Sequence, residues 1–266
     1  MTMTVWKKAL AAIGIGGAKI SLELASPYLT AGGTADVIVR LRGGAVGQTI
    51  NDCLIELLAS YTGYTVNAQG EQRATTREAL LQSYTVPVGG PLRPQEVREI
   101  PLVLAIPLHV PPRLHRESVW FRTRLDIAHA ADSRDRDDVE VLPDPFLQRV
   151  LNAMSRLRFH LVRSCLMENG NPDLSPDAYV QRIAYRVPDE YKNDVDEVIL
   201  TPVWMDEALR LVMQVDRKQG LLRALSGADI ATQPIVMRPG EWADRDGEAI
   251  ASCLHDGFMR AIAQEQ

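Results

Sequence analysis

Two neighbouring runs near the start of the chain alternate polar and apolar residues, and that spacing restricts what they can become. In Lys19-Ile20-Ser21-Leu22-Glu23-Leu24, the apolar Ile20, Leu22 and Leu24 interleave with Lys19, Ser21 and Glu23. In Ala35-Asp36-Val37-Ile38-Val39-Arg40-Leu41-Arg42, Val37, Val39 and Leu41 interleave with Asp36, Arg40 and Arg42. A period of two puts one set on each face of a pleated strand. Ser26-Pro27-Tyr28-Leu29-Thr30-Ala31-Gly32-Gly33 between them and Gly43-Gly44 after them are turn chemistry. Two half-buried strands opening an antiparallel sandwich are predicted.

The same signal recurs along the chain. In Ile50–Tyr61, Cys53, Ile55, Leu57, Ala59 and Tyr61 share one face, and Leu54 and Leu58 lie on the other. Apolar residues on both sides predict a strand covered on both faces. Gly63–Arg77 is polar and reads as an exposed hairpin loop, and Glu78–Val86 resumes strand character. Ile100, Leu102, Leu104 and Ile106 alternate, with Pro101 and Pro107 opposite, which favours an edge strand or strand ends. Val119, Phe121, Thr123, Leu125 and Ile127 form the clearest long strand. Ala130–Asp138 then breaks the pattern with a run of charges and reads as a solvated junction between two domains.

Beyond the junction, Asp144 before Pro145 is a helix start. Phe146, Val150, Leu151, Met154 and Leu157 follow at helical spacing. Strands are predicted near Arg158–Met167, Ala178–Val187, Glu197–Met205 and Glu207–Asp216, with a turn at Asn169–Asp173 and a tight one at Trp204-Met205-Asp206. Lys218–Ser226 suggests a short helix and Pro234–Arg238 another strand. Glu241–Gln264 closes the chain as an amphipathic helix with Ile250, Leu254, Phe258 and Ile262 along one side. That stripe serves equally for pairing with a partner or a second copy, or for lying along a sandwich.

Composition narrows the function classes. The 266 residues are 46% hydrophobic and 24% charged, enough for a substantial core. A net charge of −5 argues against a nucleic-acid binder, which needs clustered Lys and Arg. Cys53, Cys165 and Cys253 are far apart, with no CxxC, and read as reduced thiols in a reducing compartment. No apolar run reaches the roughly 20 residues of a membrane span. Residues 1–17 are too short in their apolar part, and too broken by glycine, to read as a leader. Residues 4–14 read as a short helix packed on its own domain, with a surface anchor for membrane or partner as the other use.

No catalytic constellation emerges. His109, His115, His129, His160 and His255 are scattered, and none neighbours a Cys or Asp in a recognisable motif. His109 and His115 flank one Pro-rich loop, but a zinc site would need two further ligands. Asp132, Asp135, Asp137 and Asp138 lack the glycine and distal glutamate of an EF-type calcium loop, and arginines intervene. Gly14-Ile15-Gly16-Gly17 precedes a strand, so it is not a dinucleotide fingerprint. No cofactor and no metal are expected.

Several blocks together resemble the bacterial SpoOM sporulation-control family. They are Trp6-Lys7-Lys8 with Ala11–Lys19, Tyr28 with Gly32-Gly33, Arg42-Gly43-Gly44, Arg98-Glu99-Ile100-Pro101, Val119-Trp120 with Thr123 and Leu125-Asp126-Ile127, and Leu200-Thr201-Pro202. Asp135-Arg136-Asp137 followed by Val139-Glu140-Val141, Pro143 and Pro145 is the most specific stretch. The order and spacing of these blocks cover most of residues 5–217; Cys53, where a small residue is expected, and the final helix depart from the pattern.

The resemblance implies a mostly β, arrestin-like fold of two β-sandwich domains with a C-terminal helix. The expected divisions are an N-terminal sandwich at 1–130, a charged linker at 131–142, a C-terminal sandwich at 143–240 and the helix at 241–266. It also implies a cytoplasmic regulatory or scaffold protein that binds other proteins and performs no catalysis. Asp126, Arg134, Asp135, Arg136 and Asp137 are the candidate interdomain polar residues; Ile250, Leu254, Phe258 and Ile262 are the candidate partner or homodimer stripe. The competing readings are a membrane-peripheral sensor using the N-terminal segment, and a small-ligand or metal-binding sandwich using His109 and His115.

Overall fold

The computed structural model describes residues 17–67, 69–127, 133–216 and 234–264. The helices expected over 4–14 and 218–226 lie outside them. The chain divides into two compact units. One is built from Met1–Ala59, Leu80–Val110 and Ser118–Leu142, the other from Ser60–Ala79, Pro111–Glu117 and Pro143–Gln266.

The first unit is a sandwich of two sheets. One sheet has the order β1 (Lys19–Leu24), β3 (Thr34–Arg42) and β6 (Val97–Ala105), all antiparallel. Both opening runs are therefore strands, with Ile20, Leu22, Val37, Val39 and Leu41 buried as their alternation requires. The facing sheet takes its centre from β4 (Ile50–Val66), whose Cys53, Ile55 and Leu57 stand opposite Leu125, Thr123 and Phe121 of β7 (Val119–Ile127). β8 (Ser133–Leu142) pairs antiparallel with β7, and the three-residue β2 (Tyr28–Thr30) pairs parallel with the end of β8. β1 lies over β7 and β8, and the core fills the space between the layers.

Two sequence expectations change here. Residues 133–142, expected as linker, form β8; their alternation is in charge and not in hydropathy, so no apolar signal precedes Val139. Gly63–Arg77 is mostly ladder, since β4 runs to Val66 and β5 (Gln72–Thr85) pairs with it. The connection around Asn67 and 69–71 is held by the Asn67 side chain accepting from the Gln69 and Glu71 amides (3.0 and 2.8 Å).

In the second unit β9 (His160–Glu168), β10 (Tyr179–Arg186), β11 (Glu197–Met205), β12 (Ala208–Asp216) and β13 (Ile235–Met237) form an antiparallel sheet in that order. The β11–β12 turn places Asp206 and Glu207 at φ 51° and 58°, the left-handed geometry of a tight hairpin. Among the described residues, the layer facing this sheet is helical: α1 (Pro145–Arg156) and α2 (Gly247–Gln264) pack on each other, and α2 on β12. Val150, Met154, Leu200, Leu209, Met237, Ile250, Leu254 and Phe258 share their core. Asp144 starts α1 by accepting from the Phe146 and Leu147 amides (2.9 and 3.0 Å). Its other oxygen accepts from Trp204 Nε1 at 3.1 Å. The mostly β, arrestin-like architecture with a C-terminal helix is thus the fold of this chain.

Candidate functional site

The five candidate polar residues gather on β8 and the adjoining end of β7, within the first unit. Along β8 the side chains sort by parity. Ser133, Asp135 and Asp137 turn inward with Val139 and Val141, while Arg134, Arg136 and Asp138 are exposed. The inner row caps the free edge of β1: the Ile20 amide donates to Ser133 Oγ at 3.3 Å, and the Leu22 amide to Asp135 Oδ2 at 3.4 Å. Matching i, i+2 spacings on both strands make this a ladder of side-chain acceptors against backbone donors.

Asp137 is the next residue of the inner row. Its Oδ2 is buried and has no hydrogen-bond partner among the described residues. Burial first, then the neighbouring Asp135 and Asp138 carboxylates, push its carboxyl up to about 6. At neutral pH it holds its charge against an unfavourable setting.

The outer row forms a second network. Arg136 stacks over the Trp120 ring, with its guanidinium carbon 4.0 Å from the centroid, and donates to Asp138 Oδ1 at 2.9 Å. Arg122 stands opposite Arg136, and Arg124 opposite Arg134. Like charges in register repel. The buried Glu56 offsets this, lying 2.9 Å from Arg122 Nε and 3.2 Å from Arg124 Nε. Asp126 sits apart from this grid and accepts from Asn51 Nδ2 at 3.3 Å.

The other candidates for chemistry are placed as follows. Cys53 is fully buried, and desolvation followed by the Asp52 charge pushes its thiol up to about 12, so it stays protonated. Burial likewise raises Cys165 and Cys253. His109 belongs to the first unit and His115 to the second, where the His115 amide donates to Glu117 Oε2 at 2.8 Å. Among the described residues no group of three or more His, Cys, Asp or Glu is placed to hold a metal, and no helix is long and apolar enough to cross a membrane.

Of the two uses left open for the C-terminal stripe, the structure shows packing within its own unit. Ile250, Leu254 and Phe258 are fully buried in their own unit, and Ile262 is half-buried against the same cluster. Phe258 meets Phe159 and Tyr191 edge-on, at centroid distances of 5.1 and 5.0 Å. The stripe is spent on its own sheet because that sheet has no second sheet to cover it among the described residues.

Two features of the second unit carried no motif. Gln181 Nε2, buried, reaches Pro112 O, Glu117 Oε1 and Ser164 Oγ at 2.9, 2.9 and 3.0 Å, and so fastens the 111–117 segment to β9 and β10. A cavity of about 210 Å³ lies at the end of α1, lined by Arg158, His160, Arg186, Val187, Pro188, Asp189, Glu190 and Lys192. The only trace of the cavity in the sequence is an arginine where a helix end favours glycine.

Comparison with known proteins decides the family, since the SpoOM protein model matches residues 6–219. The chain belongs to the SpoOM family. Within SpoOM, the sporulation-control protein spo0M of Bacillus subtilis (strain 168) is 26% identical over 226 residues, covering 83% of this chain and 84% of that protein. The crystal structure of Spo0M from Bacillus subtilis aligns with a TM-score of 0.78 at 22% identity, over 93% of this chain and 100% of that one. At that identity the likeness speaks for the SpoOM fold.

Proposed function

We propose that this chain is a regulatory scaffold of the SpoOM type that works in the cytoplasm by binding other proteins and performs no catalysis. The observation that carries this reading is the β6 edge. Among the described residues no strand pairs with the outer side of β6. Val103 and Val97 on it are 67% and 57% exposed. Ile38 on β3, 37% exposed, stands opposite Pro101 on the same open face. Tyr84 Oη donates to Ala105 O at 2.7 Å at the end of β6, and the rest of this long edge, with its outward valines, is a template for an added strand. Free, raised-pKa thiols suit a reducing compartment.

Affinity capture from native lysate, followed by a direct binding measurement on the recovered protein, tests the reading. Wild type is expected to retain a specific partner that Val103→Lys loses at least tenfold, with an unchanged melting temperature, because Val103 is exposed. Equal retention by both, or none by either, counts against it. Mass measurement of the same samples shows whether the partner is a second copy.

A further inference from the structure

The cavity at the end of α1 lies wholly in the second unit, and three successive features of the chain build it. The first is the helix stop. The Arg158 amide donates to Ser155 O at 3.0 Å and the Phe159 amide to Met154 O at 3.1 Å, closing α1 with Arg158 at φ 62°. This pair of bonds normally has glycine at the left-handed position, because a Cβ there crowds the following carbonyl. The chain instead places a guanidinium at the rim.

The second is the strand pair that follows. His160, first residue of β9, stands directly opposite Arg186, last residue of β10. The third is Val187-Pro188, both buried, leading into the 3₁₀ turn Asp189–Tyr191 and Lys192. The result is a basin lined by two guanidiniums, an ammonium, an imidazole, two carboxylates and the apolar Val187-Pro188.

The charges are unevenly matched. Lys192 pairs with Asp189, whose side chain is 90% exposed. Among the described residues neither Arg158 nor Arg186 has a salt-bridge partner. The hydrogen bond from Lys192 holds the Asp189 carboxyl below the usual range, followed by the charge of Lys192 and then of His160 and Arg158. The basin is therefore electropositive in spite of the two acids in its lining.

We propose that this basin binds a phosphate group, with Arg158 and Arg186 as its two guanidinium donors and His160 beside them. Planar guanidinium forks match phosphate oxygens. The volume leaves room for more than the bare ion, and the apolar Val187-Pro188 lining suits the carbon skeleton of a small phosphomonoester. The proposal is independent of the protein-binding reading, so either can fail alone.

Calorimetric titration of the full chain with inorganic phosphate and, separately, with glycerol 3-phosphate, at fixed ionic strength, tests it. Saturable one-to-one binding is expected. Binding of glycerol 3-phosphate but not phosphate assigns the site to phosphomonoesters, and equal binding of both assigns it to the free ion. Arg158→Gly and Arg186→Gln are each expected to weaken binding about tenfold. Arg158→Gly should at the same time keep or raise the melting temperature, since glycine suits its backbone. If Arg158→Gly fails to fold, Arg186→Gln carries the test. Absence of binding by both probes at millimolar concentration, or unchanged affinity in the variants, overturns the proposal.

Discussion

Asp137 shows how a single position can work against its surroundings. Its carboxyl is raised from 3.8 to about 6, so the folded chain holds its proton more tightly than the unfolded one. Stability from this group is fully present below the ordinary carboxylate range and is lost as pH rises through about 6. Asp137→Asn removes that loss. Melting temperatures between pH 4 and 7 should show the variant equal to wild type at the acid end and more stable at the neutral end. A variant less stable than wild type at pH 7 would mean that the charge is held by a compensating contact. Asp144 is the opposite case, since the same burial that raises its pKa is met by two amides and an indole N–H. Its role was legible from Asp144-Pro145 alone, because capping is local chemistry. Asp137's burial was not, because it depends on which strand lies over it.

Elements were readable where hydropathy alternates. β1, β3, β7, β11 and β12 follow their apolar periods closely, and α1 follows its 3.6-residue stripe. β8 escaped because its two faces differ in charge sign and not in polarity. β2 escaped because three residues carry no period. The far end of the β4–β5 ribbon escaped because exposed backbone pairing holds it and burial does not. In α2 the stripe was visible but its destination was open, since a core and a partner recruit the same side chains. The edge-on rings around Phe258 now fix the answer. Phe258→Ala should cost about 3–5 kcal/mol, measured by urea denaturation, because truncation leaves a cavity between α2 and its sheet. A cost under about 1 kcal/mol would place the helix outside the cooperative fold.

At the scale of the whole molecule, compact units and chain order do not coincide. The second unit draws 60–79 and 111–117 from the first half of the chain. Composition suggests a charged junction at 130–138, yet residues 133–142 form β8 within the first unit and the second resumes at Pro143, and no local pattern reveals segments borrowed from so far away. The borrowed pieces carry specific contacts: Tyr61 stacks on Tyr179 at 6.0 Å, and Glu117 accepts from Gln181. A fragment comprising 143–266 alone would leave Gln181 buried without two of its three acceptors, at a cost of about 1–3 kcal/mol for an unmet polar group. It should therefore melt well below the intact chain, or without a cooperative transition. A fragment as stable as the parent would show the borrowed segments to be dispensable.

The side-chain rungs that cover the edge of β1 come from residues 113 positions further along the chain. At about 5–20 residues per second of synthesis, a nascent chain leaves that edge bare for on the order of ten seconds after it is made. During that interval the outer side of β1 stays unguarded, and until β6 is made so does that of β3, at a stage when neighbouring ribosomes offer identical hairpins. Vulnerability to mispairing is then greatest in translation rather than in the finished protein, and slow stretches upstream of codon 133 would lengthen it.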